Sequence, residues 1–434
     1  MLQSIDMGKL WELLSYDADS PLIFSSGLFL FLFAFFSLFY SFTARRVLPR
    51  IIYVTLFSLY FYYKSSGFYF LLLISVATSD YLIGRAIYVS QTVSRRKALV
   101  ALSLAIDLGM LAYFKYTNMF IDLVNVLRGG HIQFKDIFLP IGISFFTFQS
   151  LSYIIDIYRH RLRPVRRWID YLFYISFFPQ LVAGPIVRAR DFIPQIYRNP
   201  LNVSRTMFGE GVFLIICGLF KKAVISDFIS INFVDRVFDD PLLYTGLENL
   251  FGVYGYALQI YCDFSGYSDM AIGIALLLGF RFNKNFDSPY KSATITEFWR
   301  RWHISLSSWL KDYLYISLGG NRKGRIRTYL NLMVTMVLGG LWHGASLRFV
   351  IWGAIHGTAL AVHKGAMAMF PSFKAQGIDM KSPVRRLIGT LITFHVVCVG
   401  WIFFRAEDMK TVGDIFSQIF TSFDISILPQ FIAG

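Results

Sequence analysis

Long apolar runs alternate with short polar or basic segments along the chain. A helix that crosses a bilayer perpendicularly needs about 20 apolar residues. Some runs reach this length, whereas the shorter ones favour re-entrant helices or helices buried inside a bundle. The pattern predicts about ten or eleven membrane spans, together with re-entrant or interfacial helices. The runs lie at about residues 22–42, 50–63, 67–88, 98–116, 136–157, 169–184, 206–220, 244–262, 267–280, 327–342, 349–365 and 387–404.

The composition supports a protein that resides in a membrane. Hydrophobic residues make up 55% of the 434 residues and charged residues 16%, and the mean hydropathy is +0.52. A soluble domain contains about 25% charged residues. We therefore predict an all-α, polytopic integral membrane protein. Because no Gly/Ser linker or low-complexity stretch divides the chain, residues 1–434 are predicted to form a single membrane domain.

The formal net charge of +15 is concentrated in short segments between apolar runs, at 45–50, 95–97 and 159–167. Cytoplasmic loops of membrane proteins carry such clusters. With the acidic N-terminus outside, all three clusters fall on the cytoplasmic side, so the basic residues contact the lipid surface and not a nucleic acid. We predict a multi-pass membrane protein with its N-terminus outside.

Several cysteines and histidines, which could in principle bind a metal, do not belong to any recognisable binding motif. Cys217, Cys262 and Cys398 lie in apolar runs without any CxxC pair, so no disulfide framework or thiolate site is predicted. No histidine pair has HxxxH or HExxH spacing, and we expect no metal. His356 and His363 share a face of a predicted helix and are interpreted as packing histidines with satisfied nitrogens.

The segment ITEFWRRWHISLSSWLKDYLYISLGGNRKGR, residues 295–325, has apolar residues at three- and four-residue spacing. This predicts one amphipathic helix that lies at an interface or dips into the protein. His303 adjoins the stripe beside Trp299 and Leu306. It is either an interface histidine next to a tryptophan belt or a polar group facing a cavity. The stripe comprises Ile295, Phe298, Trp299, Trp302, Leu306, Trp309, Leu310 and Tyr313.

The segment LGGLWHGAS, residues 338–346, places His343 among glycines in an apolar stretch. Ionisable groups inside a membrane are costly and usually face a cavity or a partner. Imidazole accepts and donates a proton near neutral pH. A packing histidine bonded to a carbonyl is the alternative, and we favour a catalytic His343.

The segment YCDFSGYSDMAIG, residues 261–273, carries Asp263, Ser265, Ser268 and Asp269 between two apolar runs. Asp and Ser commonly cap helix starts, which predicts a capped turn. The alternative is a polar wall beside the histidines, and on that basis Asp263 and Asp269 are candidate substrate-binding residues.

Taken together, six stretches resemble the membrane-bound O-acyltransferase (MBOAT) family, and within it the membrane component of bacterial alginate O-acetyltransferases. They occur in order between about residues 139 and 409. Each is long and unusual, whereas a lone WHG would be a weak signal. The stretches are LPIGISFFTFQSLSYIIDIYR, FFPQLVAGPIVR, YCDFSGYSDMAIG, ITEFWRRWHISLSSWLKDYLYISLGGNR, LGGLWHGAS and WIFFRAEDM.

The resemblance implies a helical bundle with a central funnel or tunnel and transfer of an acyl group. It identifies His343 as the main catalytic histidine, a general base on an acceptor hydroxyl, and His303 as the second family position, which orients the donor or polarises its carbonyl. The donor would be acetyl-coenzyme A, or an acylated carrier protein, on the cytoplasmic side, with no bound cofactor.

Further substrate-binding candidates follow from the neighbours of the two histidines. Arg300, Arg301 and Lys311 are expected to receive the phosphates of a coenzyme at the inner face. Trp299 and Trp342 lie beside His303 and His343 and are expected to contact substrate.

The resemblance also implies a partner, an extracytoplasmic SGNH-type acetyltransferase that passes the acyl group to an exported polysaccharide, as in alginate biosynthesis. The alternative function is a transporter or flippase of a cell-envelope polysaccharide component, with the histidines in a proton or cargo path. The chain ends about thirty residues after WIFFRA, whereas relatives usually continue with further helices, so we expect a truncated or naturally short C-terminal end.

Overall fold

The computed structural model describes residues 6–198, 202–369 and 382–429. These residues form helices and loops, with no strand among them, so the predicted all-α fold is confirmed. The α-helices are α1 (Met7–Leu14), α2 (Gly27–Thr43), α3 (Val47–Ser66), α4 (Phe70–Val89), α5 (Val93–Leu111), α6 (Thr117–Arg128), α7 (Ile143–Tyr158), α8 (Trp168–Ser176), α9 (Phe178–Leu181), α10 (Ala189–Ile196), α11 (Arg205–Leu219), α12 (Asp227–Ile229), α13 (Asp235–Asp239), α14 (Gly246–Leu277), α15 (Ile295–Arg301), α16 (Ile304–Trp309), α17 (Gly324–His343), α18 (Leu347–Met369), α19 (Pro383–Arg405) and α20 (Met409–Thr421).

The chain forms two compact units. The first comprises Met1–Ile216 and Tyr267–Asn283, and the second comprises Cys217–Gly266 and Lys284–Gly434. Both predicted catalytic histidines belong to the second unit. The single membrane domain expected over residues 1–434 stays a prediction.

Three helical stretches of the described residues are long and apolar enough to cross a membrane. They are Val47–Val89, Val93–Arg128 and Pro383–Arg405, and the shorter α2 is also apolar. They coincide with apolar runs of the sequence. The count of ten or eleven spans stays a prediction.

Some apolar runs form helices too short to cross a bilayer alone. The run at 169–184 is divided into α8, with nine residues, and α9, with four. At 1.5 Å per residue, α8 is about 14 Å long, about half the thickness of a hydrocarbon core. The chain then folds back at Gly184, where a Cβ atom would overlap the carbonyl of Pro179. These helices contribute a buried layer in the first unit.

The prediction of a capped turn at 261–273 is wrong. The whole segment lies inside α14, which continues for 32 residues. A Cβ atom at Gly266 would lie 2.8 Å from the carbonyl oxygen of Gly218. The glycine therefore allows two helix backbones to approach closely, and the polar residues lie on the faces of a continuous helix.

The prediction of one helix across 295–313 is also wrong. The chain leaves the helix after α15, and His303 adopts a left-handed conformation (φ +42°) before α16 begins. A neighbouring loop replaces the lost helical bonds: Ile304 N donates to Asn285 O (2.8 Å), and Asp287 N donates to Arg301 O (2.9 Å). After α16 the segment Leu310–Tyr315 is π-helical.

Most of the apolar stripe of this segment is nevertheless buried, because both short helices turn it towards the same core. Phe298, Trp302 and Leu306 are at most 3% exposed. Trp302 lies 5.0 Å from Trp401 of α19, measured between ring centroids, and 5.6 Å from Phe298. These rings belong to the aromatic core of the second unit.

In the first unit, α11 and α14 meet through paired glycines. A Cβ atom at Gly273 would lie 2.5 Å from Gly211 O, and one at Gly211 would lie 2.9 Å from Gly273 O. Small residues of this kind let helix backbones touch in membranes, where no hydrophobic effect drives helices together.

We expect Gly273→Ala to destabilise the protein by about 1–3 kcal/mol, because the added methyl group overpacks a backbone contact. Thermal unfolding in detergent should show a melting temperature lowered by several degrees. Gly209→Ala on α11 is the matched control, since no atom lies within 4 Å of its added Cβ. Equal melting temperatures for the two variants would contradict this account of the helix contact.

Candidate active site

His303 is held at the break between α15 and α16 and is 1% exposed. Its ring lies edge-to-face against Phe264, with 4.6 Å between centroids. Its Nδ1 is 3.2 Å from Asn285 Oδ1, which also accepts bonds from Ser305 N (3.1 Å) and Ser305 Oγ (2.9 Å). The imidazole is therefore fixed in orientation by an amide oxygen.

The loop that carries Asn285 is anchored at the surface. Lys284 Nζ lies 2.5 Å from Asp287 Oδ1, and this hydrogen bond lowers the pKa of the Asp287 carboxyl below its ordinary value. Arg301 Nη1 donates to Asp287 O (3.3 Å). These contacts hold residues 284–287 against the end of α15.

His343 is the last residue of α17, and Gly344 leaves the helix with extended backbone. The imidazole is half-buried among three aromatic rings, edge-to-face in each case. The centroid distances are 4.9 Å to Trp342, 5.1 Å to Trp352 of α18 and 5.1 Å to Phe404 of α19. Three helices therefore converge on this side chain.

Trp342 connects the two histidines. Its ring lies 6.2 Å from that of His303 and 4.9 Å from that of His343, between centroids. Both imidazoles therefore contact the same indole ring. The structure thus brings together the two histidines and one tryptophan that sequence analysis selected.

The glycines around His343 are required by the contact between α17 and α18. A Cβ atom at Gly340 would overlap the carbonyl oxygen of Phe349, and one at Gly353 would lie 2.5 Å from Met336 O. A Cβ atom at Gly344 would overlap the Phe349 ring. The glycines bring α18 so close that Trp352, next to Gly353, packs on His343.

A cavity of about 500 Å³ lies beside this cluster in the second unit. Three of the predicted substrate-binding residues, Trp299, Arg300 and Lys311, line it. Lys364 adds a further cation, and Ile304, which follows His303, forms part of the wall. Its remaining lining residues are Thr296, Ser307, Ser308, Leu310, Tyr315, Asn321, Leu332, Thr335, Met336, Leu360 and Met367.

Two aromatic rings connect the cavity wall with His343. Trp299 lies edge-to-face against Trp352, with 5.8 Å between centroids, and Trp352 contacts His343. The site therefore combines two histidines with an adjacent basic cavity.

Three other predicted residues do not line this cavity. Arg301 pairs with Glu297 (2.8 Å). Asp263 pairs with Lys222 (2.6 Å), although the next residue on α14, Phe264, contacts His303. Asp269 lies six residues further along α14, in the first unit. Their roles in substrate binding stay predictions.

Several residues at the site are not recognisable from the sequence. Asn285 and Lys364 have no motif around them, and Phe404 belongs to a stretch quoted only for family resemblance. His356 packs among the rings of Phe298, Trp299 and Trp352 as predicted, but the prediction that its nitrogens are satisfied is wrong. Both of its ring nitrogens are buried, and neither bonds to another described residue. His363 does have a partner, Thr296 Oγ1 at 2.8 Å.

The helical fold, the apolar stretches and two neighbouring histidines beside a basic cavity are the features of a membrane protein with an internal polar site. Residues 165–400 match the family described as MBOAT, membrane-bound O-acyltransferase family. The chain belongs to this family.

The chain is similar to several curated acyltransferases. It is 40% identical to the probable alginate O-acetylase AlgI of Pseudomonas aeruginosa, covering 92% of this chain and 75% of that protein. It is 34% identical to the peptidoglycan O-acetyltransferase of Helicobacter pylori, over 90% and 78% respectively. It is 27% identical to the teichoic acid D-alanyltransferase of Bacillus subtilis, over 62% and 69%. The protein is a membrane O-acyltransferase.

Gly340→Ala should lower both stability and acyl transfer, because the added methyl group pushes α18 away and withdraws Trp352 from His343. Overpacking of this kind costs about 1–3 kcal/mol. Melting temperature and acyl transfer would be measured together. The neighbouring Gly339→Ala is the control, since its Cβ would meet only the flexible Leu310 side chain, at 3.2 Å. A Gly340→Ala variant as stable and active as the Gly339→Ala variant would refute the packing argument.

Proposed function

We propose that the protein transfers an acyl group, in the simplest case acetyl, from a cytoplasmic thioester to a hydroxyl group on the way to an extracytoplasmic polysaccharide. His343 acts as the general base, and His303 is the second functional histidine, which positions the donor. The observation that carries the proposal is the pair of histidines around Trp342 beside a basic cavity.

In the reaction, the acceptor oxygen attacks the thioester carbonyl carbon, a C–O bond forms and the C–S bond breaks. His343 takes the hydroxyl proton and returns a proton to the leaving sulfur, so that an ester and a thiol result. General-base assistance contributes about 10²–10⁴ in rate. Aromatic packing on three sides of His343 limits access of bulk water to the thioester.

The cavity chemistry suits a coenzyme thioester. Arg300, Lys311 and Lys364 supply cations for phosphate groups, while Trp299 offers an apolar face. Acetyl-coenzyme A is the donor we favour, and an acylated carrier protein presents the same phosphorylated arm.

The acceptor and partner are suggested by the relatives. The names of the Pseudomonas, Helicobacter and Bacillus proteins refer to alginate, peptidoglycan and teichoic acid, which are all envelope polymers. We propose that an extracytoplasmic SGNH-type acetyltransferase receives the acyl group and acylates an exported polysaccharide.

The orientation we propose places the chain in the bacterial cytoplasmic membrane with its N-terminus outside. The basic residues 45 and 46 lie between α2 and α3, residues 95–97 lie at the start of α5, and residues 159–167 lie between α7 and α8. Positive residues favour the cytoplasmic side of short loops. In chain order, α3 and α4 lie between the first and second clusters, and most of α5 and all of α6 and α7 lie between the second and third.

Wild-type protein purified in detergent is expected to consume the thioester of labelled acetyl-coenzyme A. The His343→Ala variant should not consume it, and the His303→Ala variant should consume it much more slowly. A loss of about 10²-fold or more is expected for His343 from the contribution of a general base. The control is His395→Ala, since His395 bonds to Tyr254 on α14 and to Leu391 O.

Thioester turnover that persists at the wild-type rate without His343 would overturn the catalytic assignment. If the folded wild type consumes no coenzyme thioester, an acylated carrier protein with the partner would be supplied next. Inactivity in both assays, together with transport of a polysaccharide component, would favour the transporter function.

Lys311→Met and Lys364→Met should raise the KM for acetyl-coenzyme A with little change in kcat, because each variant removes an interaction made equally in the ground state and the transition state. The loss should shrink as salt screens the remaining charges. Lys410→Met is the charge-matched control, because Lys410 pairs with Asp414 on α20. Unchanged KM values in both cavity variants would exclude the cavity as the phosphate site.

A further inference from the structure

The tautomer of His303 can be read from its hydrogen bonds. The oxygen of the Asn285 amide accepts a bond from the backbone N–H of Ser305, at 3.1 Å. A backbone N–H is always a donor, so the amide group facing Ser305 is its acceptor oxygen. The same oxygen lies 3.2 Å from His303 Nδ1, and a bond there requires a proton on Nδ1.

The second neighbour of Nδ1 leads to the same assignment. Ser305 Oγ donates its proton to Asn285 Oδ1, at 2.9 Å. Its lone pairs then face His303 Nδ1 at 3.4 Å and accept from it weakly. Both groups around Nδ1 therefore favour the tautomer with the proton on Nδ1, which leaves a lone pair on Nε2.

Nε2 is buried and bonds to no other described residue. A buried polar atom without a partner is unfavourable, because it has lost its hydrogen bond to water. Protonation of both ring nitrogens would place a cation at a residue that is 1% exposed and adjacent to a second imidazole. Charge burial of that kind is strongly unfavourable. The neutral ring, with its free lone pair, is the form that fits this site.

We propose that Asn285 is a positioning residue that holds His303 as its Nδ1–H tautomer, so that the buried Nε2 accepts a hydrogen bond from an O–H or N–H group of a bound substrate. The inference rests on the proposed function, because it assigns His303 a partner in the same acyl transfer. The role of His303 therefore differs from the one expected from the sequence, because a nitrogen lone pair cannot polarise the thioester carbonyl.

Two groups of the reaction have the required chemistry. The acceptor hydroxyl carries an O–H, and the amide-containing arm of a coenzyme thioester carries N–H groups. Either one would satisfy the atom that the chain leaves unpaired. In neither case does Asn285 contact the reacting atoms, since its side-chain oxygen accepts from His303 and Ser305.

The tautomer is tested directly by ¹⁵N NMR of protein labelled at histidine. The chain has seven histidines, and the His303 signals are those lost in His303→Asn. We expect the wild type to show a protonated Nδ1 and an unprotonated Nε2, and Asn285→Leu to lose this preference. A proton on Nε2 in the wild type would overturn the proposal, whether or not the protein turns over thioester.

The activity test compares Asn285→Leu, which removes the acceptor oxygen at a similar side-chain size, with Asn285→Asp, which keeps it. Asn285→Leu should lower kcat/KM for thioester turnover by about 10²–10⁴-fold, by analogy with loss of the residue that orients a catalytic histidine. Asn285→Asp keeps an acceptor oxygen and should retain activity within about tenfold. Its carboxylate stabilises the protonated ring, so the acidic limb of its pH–rate profile should move up by about one unit or more.

His303→Asn keeps an N–H near the position of Nδ1 but has no Nε2, and it should lose as much activity as Asn285→Leu. Asn232→Leu, at an exposed position bonded to Phe228 O, controls for the substitution itself. Wild-type kcat/KM in Asn285→Leu would overturn the proposal. If His343→Ala is inactive at the same time, the proposed function stands and only the role of Asn285 falls.

Binding of an unreactive thioether analogue of acetyl-coenzyme A identifies the substrate group. If His303→Asn binds the analogue more weakly than the wild type does, the group that donates a hydrogen bond to Nε2 is an N–H of the coenzyme arm. Equal binding with impaired transfer would assign the acceptor hydroxyl. Equal binding and equal transfer would remove Nε2 from the reaction.

Discussion

The contact between α17 and α18 is the constraint on which the site depends. Gly340 and Gly353 let the two helix backbones approach so closely that neither position has room for a methyl group. Trp352 then packs on His343, and Trp299 packs on Trp352. In lipid, van der Waals packing of this kind replaces the hydrophobic effect as the force between helices. The arrangement of side chains around His343 is thus a product of helix packing.

A second constraint is the need to satisfy backbone groups where α15 ends. Helix termini leave N–H and C=O groups without intrahelical partners, and a buried protein interior offers no bulk water for them. Residues 285 and 287 supply these partners. The same loop contributes the Asn285 side chain to His303, so the break in the helix and the orientation of the imidazole have one cause.

The sequence predicted the helical membrane fold and the apolar stripe of residues 295–313, and it selected two histidines that the structure brings together, because these features depend on periodicity and on long local motifs. It could not predict the break at His303, since the apolar spacing continues through it and the hydrogen bonds that replace the helix come from a loop some eighteen residues earlier. Asp263 shows the same limit. Its spacing resembled a helix cap, whereas Lys222, far away in sequence, is its partner.

The site is also unusually rich in tryptophan. Trp299, Trp302, Trp342, Trp352 and Trp401 lie in or against the cluster around the histidines, and the chain has eight tryptophans in all. Five of the eight tryptophans thus lie where chemistry is proposed. Their intrinsic fluorescence can therefore be used to follow occupancy of the site, without attaching a dye to a membrane protein.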